Sequence, residues 1–273
     1  MTSETGTPLL ELQRINKSFG AVHVLHDVDF TVHPGQVTAL VGDNGAGKST
    51  LIKCVAGIYP ADSGTIVFEG APVTVNSPRD AAALGIEVVY QDLALSDNLD
   101  VAQNMFLGRE RKRKYRLPLL QKLLPRTLDE AAMEEAARET LARLSVRTVA
   151  SVRQQVASLS GGQRQTVAIA KAVLWESKVV ILDEPTAALG VAQTEQVLAL
   201  VRRLAEAGHG VVLISHNMND VFEVADRITA LYLGRVAADV KVSDVSRSQV
   251  VELITAGRSG DLGLAPSTAA ESI

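Results

Sequence analysis

The segment Gly42-Asp43-Asn44-Gly45-Ala46-Gly47-Lys48-Ser49 constrains this chain more than any other. It has the spacing G-x-x-x-x-G-K-S, follows the apolar run Val37–Val41 and precedes a helical pattern over Thr50–Ala56. Strand, glycine-rich turn and helix in succession are the context that a phosphate-binding loop needs. Glycines let backbone N–H groups turn inward around phosphates, Lys48 supplies a point charge to the β and γ groups, and the Ser49 hydroxyl suits Mg²⁺. An ordinary glycine-rich turn is the bland alternative, and the position between an apolar strand and a helix weighs against it.

The rest of the chain predicts an α/β core. Val28, Phe30 and Val32 alternate with Asp27, Asp29 and Thr31, the period of a half-buried strand, and Pro34-Gly35 turns the chain into Val37–Val41. A small antiparallel layer leading into a buried strand is expected there. Ile66-Val67-Phe68 followed by Glu69-Gly70 repeats the strand-turn pattern. Val179–Leu182 and Val211–Ile214 are β-branched apolar runs, each after a long helical segment, which predicts a mostly parallel sheet covered by helices. Between the strands, a helix-rich stretch runs from about Val101 to Val173, with Thr127-Leu128-Asp129-Glu130 reading as a capping box ahead of Met133, Ala137, Leu141 and Leu144. Val197, Val201 and Leu204 mark a further amphipathic helix ended by Gly208, and from Arg258 onward a frayed tail is expected.

Composition excludes several classes. A 273-residue chain with 47% hydrophobic residues builds a sizeable core and is neither disordered nor fibrous. A net charge of -4 argues against a surface that coats nucleic acid. The single cysteine, Cys54, permits no internal disulfide and reads as a small apolar residue in a helix core, so a reducing compartment is expected. The first seven residues are polar, unlike a secretory signal, and the apolar runs are far shorter than the roughly 20 residues of a membrane-spanning helix.

Two further motifs carry chemistry. Val179–Leu182 ends in Asp183 and Glu184, so two acids emerge at the carboxyl end of a strand, where open α/β folds bind nucleotides. Asp183 suits a Mg²⁺ water shell and Glu184 an attacking water, against the bland reading of a solvated turn or helix cap. Leu159-Ser160-Gly161-Gly162-Gln163 precedes a helical pattern, with Ser160 a natural N-cap and paired glycines that allow an anion to approach the backbone. One nucleotide already has a phosphate loop, so this second cradle serves either a different ligand or the nucleotide of another subunit.

Ser160-Gly161-Gly162-Gln163 resembles the signature of the ATP-binding cassette (ABC) ATPases, and other family motifs follow in the expected order over about Leu10 to Gly257. The resemblance implies a P-loop NTPase of the ABC type over residues 8–257: an α/β core (8–95 and 174–257) with a mostly parallel sheet and an antiparallel β subdomain, and a helical subdomain at 96–173. It makes ATP the substrate and Mg²⁺ the metal, with Gly42, Asp43, Asn44, Gly45, Ala46, Gly47, Lys48, Ser49 and Thr50 on the phosphates. Phe19, singly more like a core aromatic, resembles the ring that stacks on adenine. Gln91, singly a surface residue, resembles the Q-loop glutamine that touches Mg²⁺, and His216 the switch histidine. Ser49, Gln91 and Asp183 then form the metal side, while Glu184, His216 and Gln91 are the catalytic set. Two copies pack head to tail, so that Ser160, Gly161, Gly162 and Gln163 of one close on the phosphate held by the other. One departure stands out: where most cassettes carry an aspartate after Leu189, this chain has Gly190, and altered communication between the two sites is expected.

Phrases such as Tyr90-Gln91-Asp92-Leu93-Ala94-Leu95 and Asn104-Met105-Phe106-Leu107-Gly108-Arg109-Glu110 look like the ATPases of bacterial monosaccharide importers. That resemblance implies a membrane permease and an extracytoplasmic sugar-binding protein as partners, a homodimer, no nucleic acid, and a cytoplasmic place on the inner face of the membrane. The basic run at 109–126 reads as a solvated face or as a contact with anionic lipid beside the permease. An exporter remains an alternative. Chromosome-maintenance ATPases would need long coiled coils that this chain lacks, and translation factors of the superfamily carry two cassettes.

Overall fold

The computed structural model describes residues 6–113, 127–146 and 148–264. Strands β1 (Leu10–Phe19) and β2 (Val22–Val32) pair antiparallel, and the alternation predicted for β2 buries Val28, Phe30 and Val32. Pro34-Gly35 then carries the chain out of this layer into β3 (Val37–Gly42), every residue of which is buried. Helix α1 (Lys48–Val55) follows, with Leu51, Ile52, Cys54 and Val55 on its inner side. Burial pushes the Cys54 thiol up to about 11, which keeps it inert near neutrality and fits the reading of a packing residue. β4 (Ser63–Phe68) and β5 (Ala71–Val73) return to the antiparallel layer around the Glu69-Gly70 turn, giving the order β2-β1-β4-β5.

Next come α2 (Pro78–Leu84), capped by Ser77, and β6 (Ile86–Val89). Three helices fill the middle of the chain: α3 (Val101–Phe106), α4 (Glu130–Arg143) and α5 (Gly161–Val173). The last stretch alternates β7 (Val179–Asp183), α6 (Val191–Glu206), β8 (Gly210–Ile214), α7 (Met218–Val224), β9 (Arg227–Tyr232), β10 (Arg235–Lys241) and α8 (Arg247–Ala256). The main sheet has the order β10-β9-β3-β8-β7-β6, parallel from β6 to β9 and antiparallel only at β10. Because the strands are parallel, the segments after β3, β6, β7 and β8 leave from one edge of the sheet.

Alternation along the main strands divides the apolar interior. Leu40, Ile181 and Ile214 share one core with α1 and the antiparallel layer, whereas Leu182, Val211 and Leu213 share another with α3, α4, α5 and α6. Within the helical part, Asn104 is fully buried and makes four hydrogen bonds: its Oδ1 accepts from Ser96 N–H at 2.7 Å, and its Nδ2 donates to Ser96, Leu99 and Asp100 carbonyls at 2.9, 3.2 and 3.0 Å. One side chain thus fixes the turn that leads into α3.

Two expectations need correction. The cap of α4 is Asp129, whose carboxylate accepts from Ala132 N–H, not Thr127. Thr127 and Leu128 are held extended instead, because Leu128 bridges Lys112 and Thr127 C=O accepts from Arg113 N–H at 3.0 Å, which delays the helix by two residues. Nor does the chain fray at Arg258. β11 (Arg258–Ser259) pairs with β12 (Leu262–Gly263), Ser259 Oγ bonds Glu252, and Leu262 and Leu264 pack against the core around Leu253. The remainder of the expected tail, residues 265–273, lies outside the described residues, as do 114–126 of the basic run. Within the described part of that run, Arg109 pairs with Glu87 at 2.8 Å and covers the Trp175 ring at 5.2 Å. Among the described residues no helix is long and apolar enough to cross a membrane.

Candidate functional site

Gly42–Ser49 links the carboxyl end of β3 to α1. Gly47 is the N-cap of α1 with φ +103, a backbone that favours glycine, and a Cβ there would also press on the Leu25 side chain at 2.8 Å. It offers no side-chain cap, and the first N–H groups of the helix are left for an anion. Lys48 Nζ donates to Gly42 O at 2.7 Å and Asp43 O at 3.0 Å, which holds the ammonium over its own loop. Burial lowers the Lys48 pKa, opposed by the charges of Glu184, Asp43 and Asp183.

Asp183 and Glu184 stand two strands away. Asp183 ends β7, and burial followed by the charge of Glu184 raises its pKa, against Lys48 and Lys53. Glu184 has φ +50, a left-handed backbone unusual for this residue, held by its N–H donating to Ile214 O at 3.0 Å. This turn aims the carboxylate at the segment that follows β8, where His216 Nδ1 lies 2.9 Å from Glu184 Oε2. The Glu184 side chain is only 17% exposed and that of His216 76%, so the carboxylate is sheltered while the ring faces outward. Asp183, Glu184 and His216 therefore meet Lys48 at one edge of the sheet.

Gln91 is exposed, two residues past β6, at the same edge. Its neighbour Tyr90 has a raised pKa from burial and from the charge of Asp183. Phe19 is not a core aromatic: it is 42% exposed at the end of β1 and meets Tyr59 edge-on, with ring centroids 5.1 Å apart at 77°. Lys53, from α1, lies 5.6 Å from the Tyr59 ring centre, so an aromatic pair connects Phe19 to the helix of the phosphate loop. On the other side Asp62 accepts from Lys17 Nζ at 2.7 Å and Ser18 N–H at 2.6 Å, which holds its carboxyl below the usual carboxylate range.

The signature segment is elsewhere. Ser160 caps α5 in a capping box with Gln163, Ser160 N–H donating to Gln163 Oε1 at 2.8 Å and Gln163 N–H to Ser160 Oγ at 3.4 Å. Gln163 Nε2 also donates to Thr148 O. The two glycines admit protein as well as any ligand: a Cβ at Gly162 would meet Gln193 Cβ at 3.0 Å, and one at Gly161 would meet Leu189 at 3.2 Å. Among the described residues no hydrogen bond or ion pair joins residues 160–163 to 42–50.

A family model for ABC transporters matches residues 25–187, more than half of the chain. The chain belongs to the ABC transporter family. It is 47% identical to the fructose import ATP-binding protein FrcA of Rhizobium meliloti, over 92% of this chain and 95% of that one. With the xylose/arabinose import ATP-binding protein XylG of Sulfolobus acidocaldarius it shares 43% identity, over 94% and 97% of the two chains. The ribose import ATP-binding protein RbsA 1 of Rubrobacter xylanophilus is 44% identical, but this chain spans only 48% of its length. Among solved structures, a nucleotide-free ATP-binding cassette from an ABC transporter superposes with a TM-score of 0.76 at 27% identity, over 90% and 98% of the chains. A cassette in its ADP conformation gives 0.75 at 25% identity, over 91% and 95%. The protein is thus an ATP-binding and ATP-hydrolysing ABC subunit with the expected α/β fold.

Within this ABC cassette, sequence reading missed Thr186, Asn217 and Asp220. Thr186 Oγ1 donates to Asp220 Oδ2 at 2.6 Å and Asn217 Nδ2 to Asp220 Oδ1 at 2.8 Å, around a carboxylate that is 4% exposed. No local signal marks a pair 34 positions apart. Gly190, the departure from the family pattern, is the N-cap of α6 without a side-chain cap, and a Cβ there meets nothing within 4 Å.

Proposed function

We propose that this subunit powers uptake of a monosaccharide through a separate membrane permease fed by an extracytoplasmic binding protein, working as a homodimer on the inner face of the membrane. The observation that carries this reading is the match, over more than nine-tenths of both chains, to the import ATP-binding proteins for fructose and for xylose/arabinose. Single-cassette relatives of matching length favour pairing with a second copy. Among the described residues no hydrogen bond or ion pair joins Ser160–Gln163 to the phosphate loop, which favours a cradle that serves the nucleotide of the partner.

In the proposed cycle the loop N–H groups and α1 bind the phosphates of ATP, and Lys48 exchanges its two loop carbonyls for β- and γ-phosphoryl oxygens. Phe19 packs on adenine. The Ser49 hydroxyl and Asp183 carboxylate are hard oxygen donors, and Asp183 ends β7 beside a second acid, Glu184. Mg²⁺, which takes one or two protein oxygens and completes its shell with phosphate and water, fits this pair and would neutralise charge on the phosphates. Gln91 joins that side of the site. Glu184 orients the attacking water and takes its proton as the water oxygen bonds to the γ-phosphorus and the bond to ADP breaks. His216, whose Nδ1 lies 2.9 Å from Glu184 Oε2, would contact the γ-phosphate with its exposed ring. ATP binding closes the dimer, hydrolysis reopens it, and the permease reads that motion.

Glu184→Gln tests the reading. Turnover of the full chain should fall at least about 100-fold, the scale of a lost general base, while ATP binding persists and an ATP-bound dimer accumulates on size exclusion. Undiminished turnover would refute the assigned role, and a monomer with ATP bound would refute the homodimer.

A further inference from the structure

Glu184 and His216 sit on segments that leave neighbouring strands. Below them, the strands are joined by the pairing of Asp183 with Ile214 and by the Glu184 N–H bond to Ile214 O. Above them, backbone pairing ends, and the chain after Glu184 passes through a second left-handed residue, Ala188 at φ +62, before α6 begins. Such a segment needs another tether if a carboxylate and an imidazole are to stay 2.9 Å apart.

Asp220 supplies one. Thr186 lies two residues after Glu184 and Asn217 one residue after His216; each donates to a different oxygen of the same carboxylate. A carboxylate this deeply buried is costly unless its oxygens are matched, and here each oxygen takes one donor, Oδ2 from Thr186 and Oδ1 from Asn217. The first turn of α7 adds a favourable dipole. Asn217 is itself fixed, since its N–H donates to Ser215 Oγ at 3.0 Å and its Oδ1 accepts from Asn219 N–H at 3.0 Å. The carboxylate therefore sets the spacing between the segment that carries Glu184 and the one that carries His216.

We infer that Asp220 is a positioning residue for hydrolysis, which holds Glu184 against His216 by bridging Thr186 and Asn217. The inference rests on the reading of Glu184 and His216 as the hydrolytic pair. Displacement of reacting groups by about 1 Å can cost on the order of 100-fold in rate, and one lost arm leaves the other in place.

Thr186→Val removes one arm without changing side-chain shape and avoids the folding risk of Asp220→Ala. In the full chain, kcat for ATP should fall about tenfold, with KM and the affinity for a fluorescent ATP analogue unchanged within about twofold; Thr186→Ser, which keeps the hydroxyl, should restore turnover. A merely structural role is separated by a double-mutant cycle with His216→Ala: in that background Thr186→Val should cost nothing further, because the contact it protects is already gone. An equal loss in both backgrounds, or wild-type kcat in Thr186→Val, would overturn the inference while leaving the site intact. Wild-type turnover in His216→Ala would overturn the hydrolytic pair and this inference together.

Discussion

Asp183→Asn should make the nucleotide-free protein more stable and the loaded protein less so. Asp183 ends a buried strand beside a second acid, and burial and Glu184 raise its pKa more than Lys48 and Lys53 lower it. A carboxyl whose folded pKa is raised favours folding when protonated; that contribution is complete below the ordinary aspartate range and is lost as pH rises through the folded value. At pH 7 the ionised group is therefore a net cost, which an isosteric amide removes. Lys48 loses an attractive partner in exchange, which offsets part of the gain. Replacements that relieve a destabilised functional site typically give about 0.5–2 kcal/mol, so a gain of about 1 kcal/mol is expected. In a domain of this size that is roughly 2–4 °C in Tm. Thermal unfolding without nucleotide at pH 7 measures it, and the difference from wild type should shrink as pH falls through the raised folded value of Asp183 toward the ordinary aspartate range, where the carboxyl is as neutral as the amide. With saturating ATP, added Mg²⁺ should raise the wild-type Tm further and leave the variant unmoved. A variant that melts at or below the wild-type temperature at pH 7 would refute the claim that this carboxylate is strained.

Asn104→Ala should cost about 2–4 kcal/mol by chemical denaturation, because it leaves the Ser96 N–H and three carbonyls around a buried site to find new partners; a loss under about 1 kcal/mol would mean that the turn holds itself. Phe19→Ala should weaken ATP roughly fivefold, about 1 kcal/mol of stacking, with the affinity for inorganic tripolyphosphate unchanged; equal loss for both would remove the adenine role. Gly190→Asp fits without a clash and adds a side-chain cap to α6, worth a few tenths of a kcal/mol over glycine. Its ATPase should gain cooperativity in ATP, and an unchanged rate and Hill coefficient would remove the idea that this glycine alters communication between sites.

Contiguous patterns were legible in the sequence; partnerships across it were not. The phosphate loop, the strands at Val179–Leu182 and Val211–Ile214 and the Ser160 cap each depend on residues within a few positions of one another, and each stands where the pattern predicts. The cap at Thr127 failed because a bridge to Lys112 outweighs the local preference for a helix start. β1 escaped notice because its alternation is broken by register shifts at Leu12, Ile15 and Lys17 and by a left-handed Arg14. Asp220 was invisible for a similar reason: an aspartate in the first turn of a helix is unremarkable until Thr186 arrives from the turn after β7.

The glycines of Ser160–Gln163 show how a correct local reading can carry a second meaning. Paired glycines at a helix start suggest an anion site, yet here they also let α5 approach Leu189 and Gln193, on either side of Gly190. The segment proposed to receive a partner's nucleotide is thus packed directly on the segment where the usual aspartate is missing. This packing is made within one chain and does not depend on a side chain at position 190. Ser160 Oγ accepts only a long bond from Gln163 N–H, which leaves its hydroxyl proton available to a phosphate. In the proposed dimer the missing aspartate would remove one contact between copies, while the packing of Leu189 and Gln193 on Gly161 and Gly162 still ties the segment after Glu184 to the start of α5 within each chain.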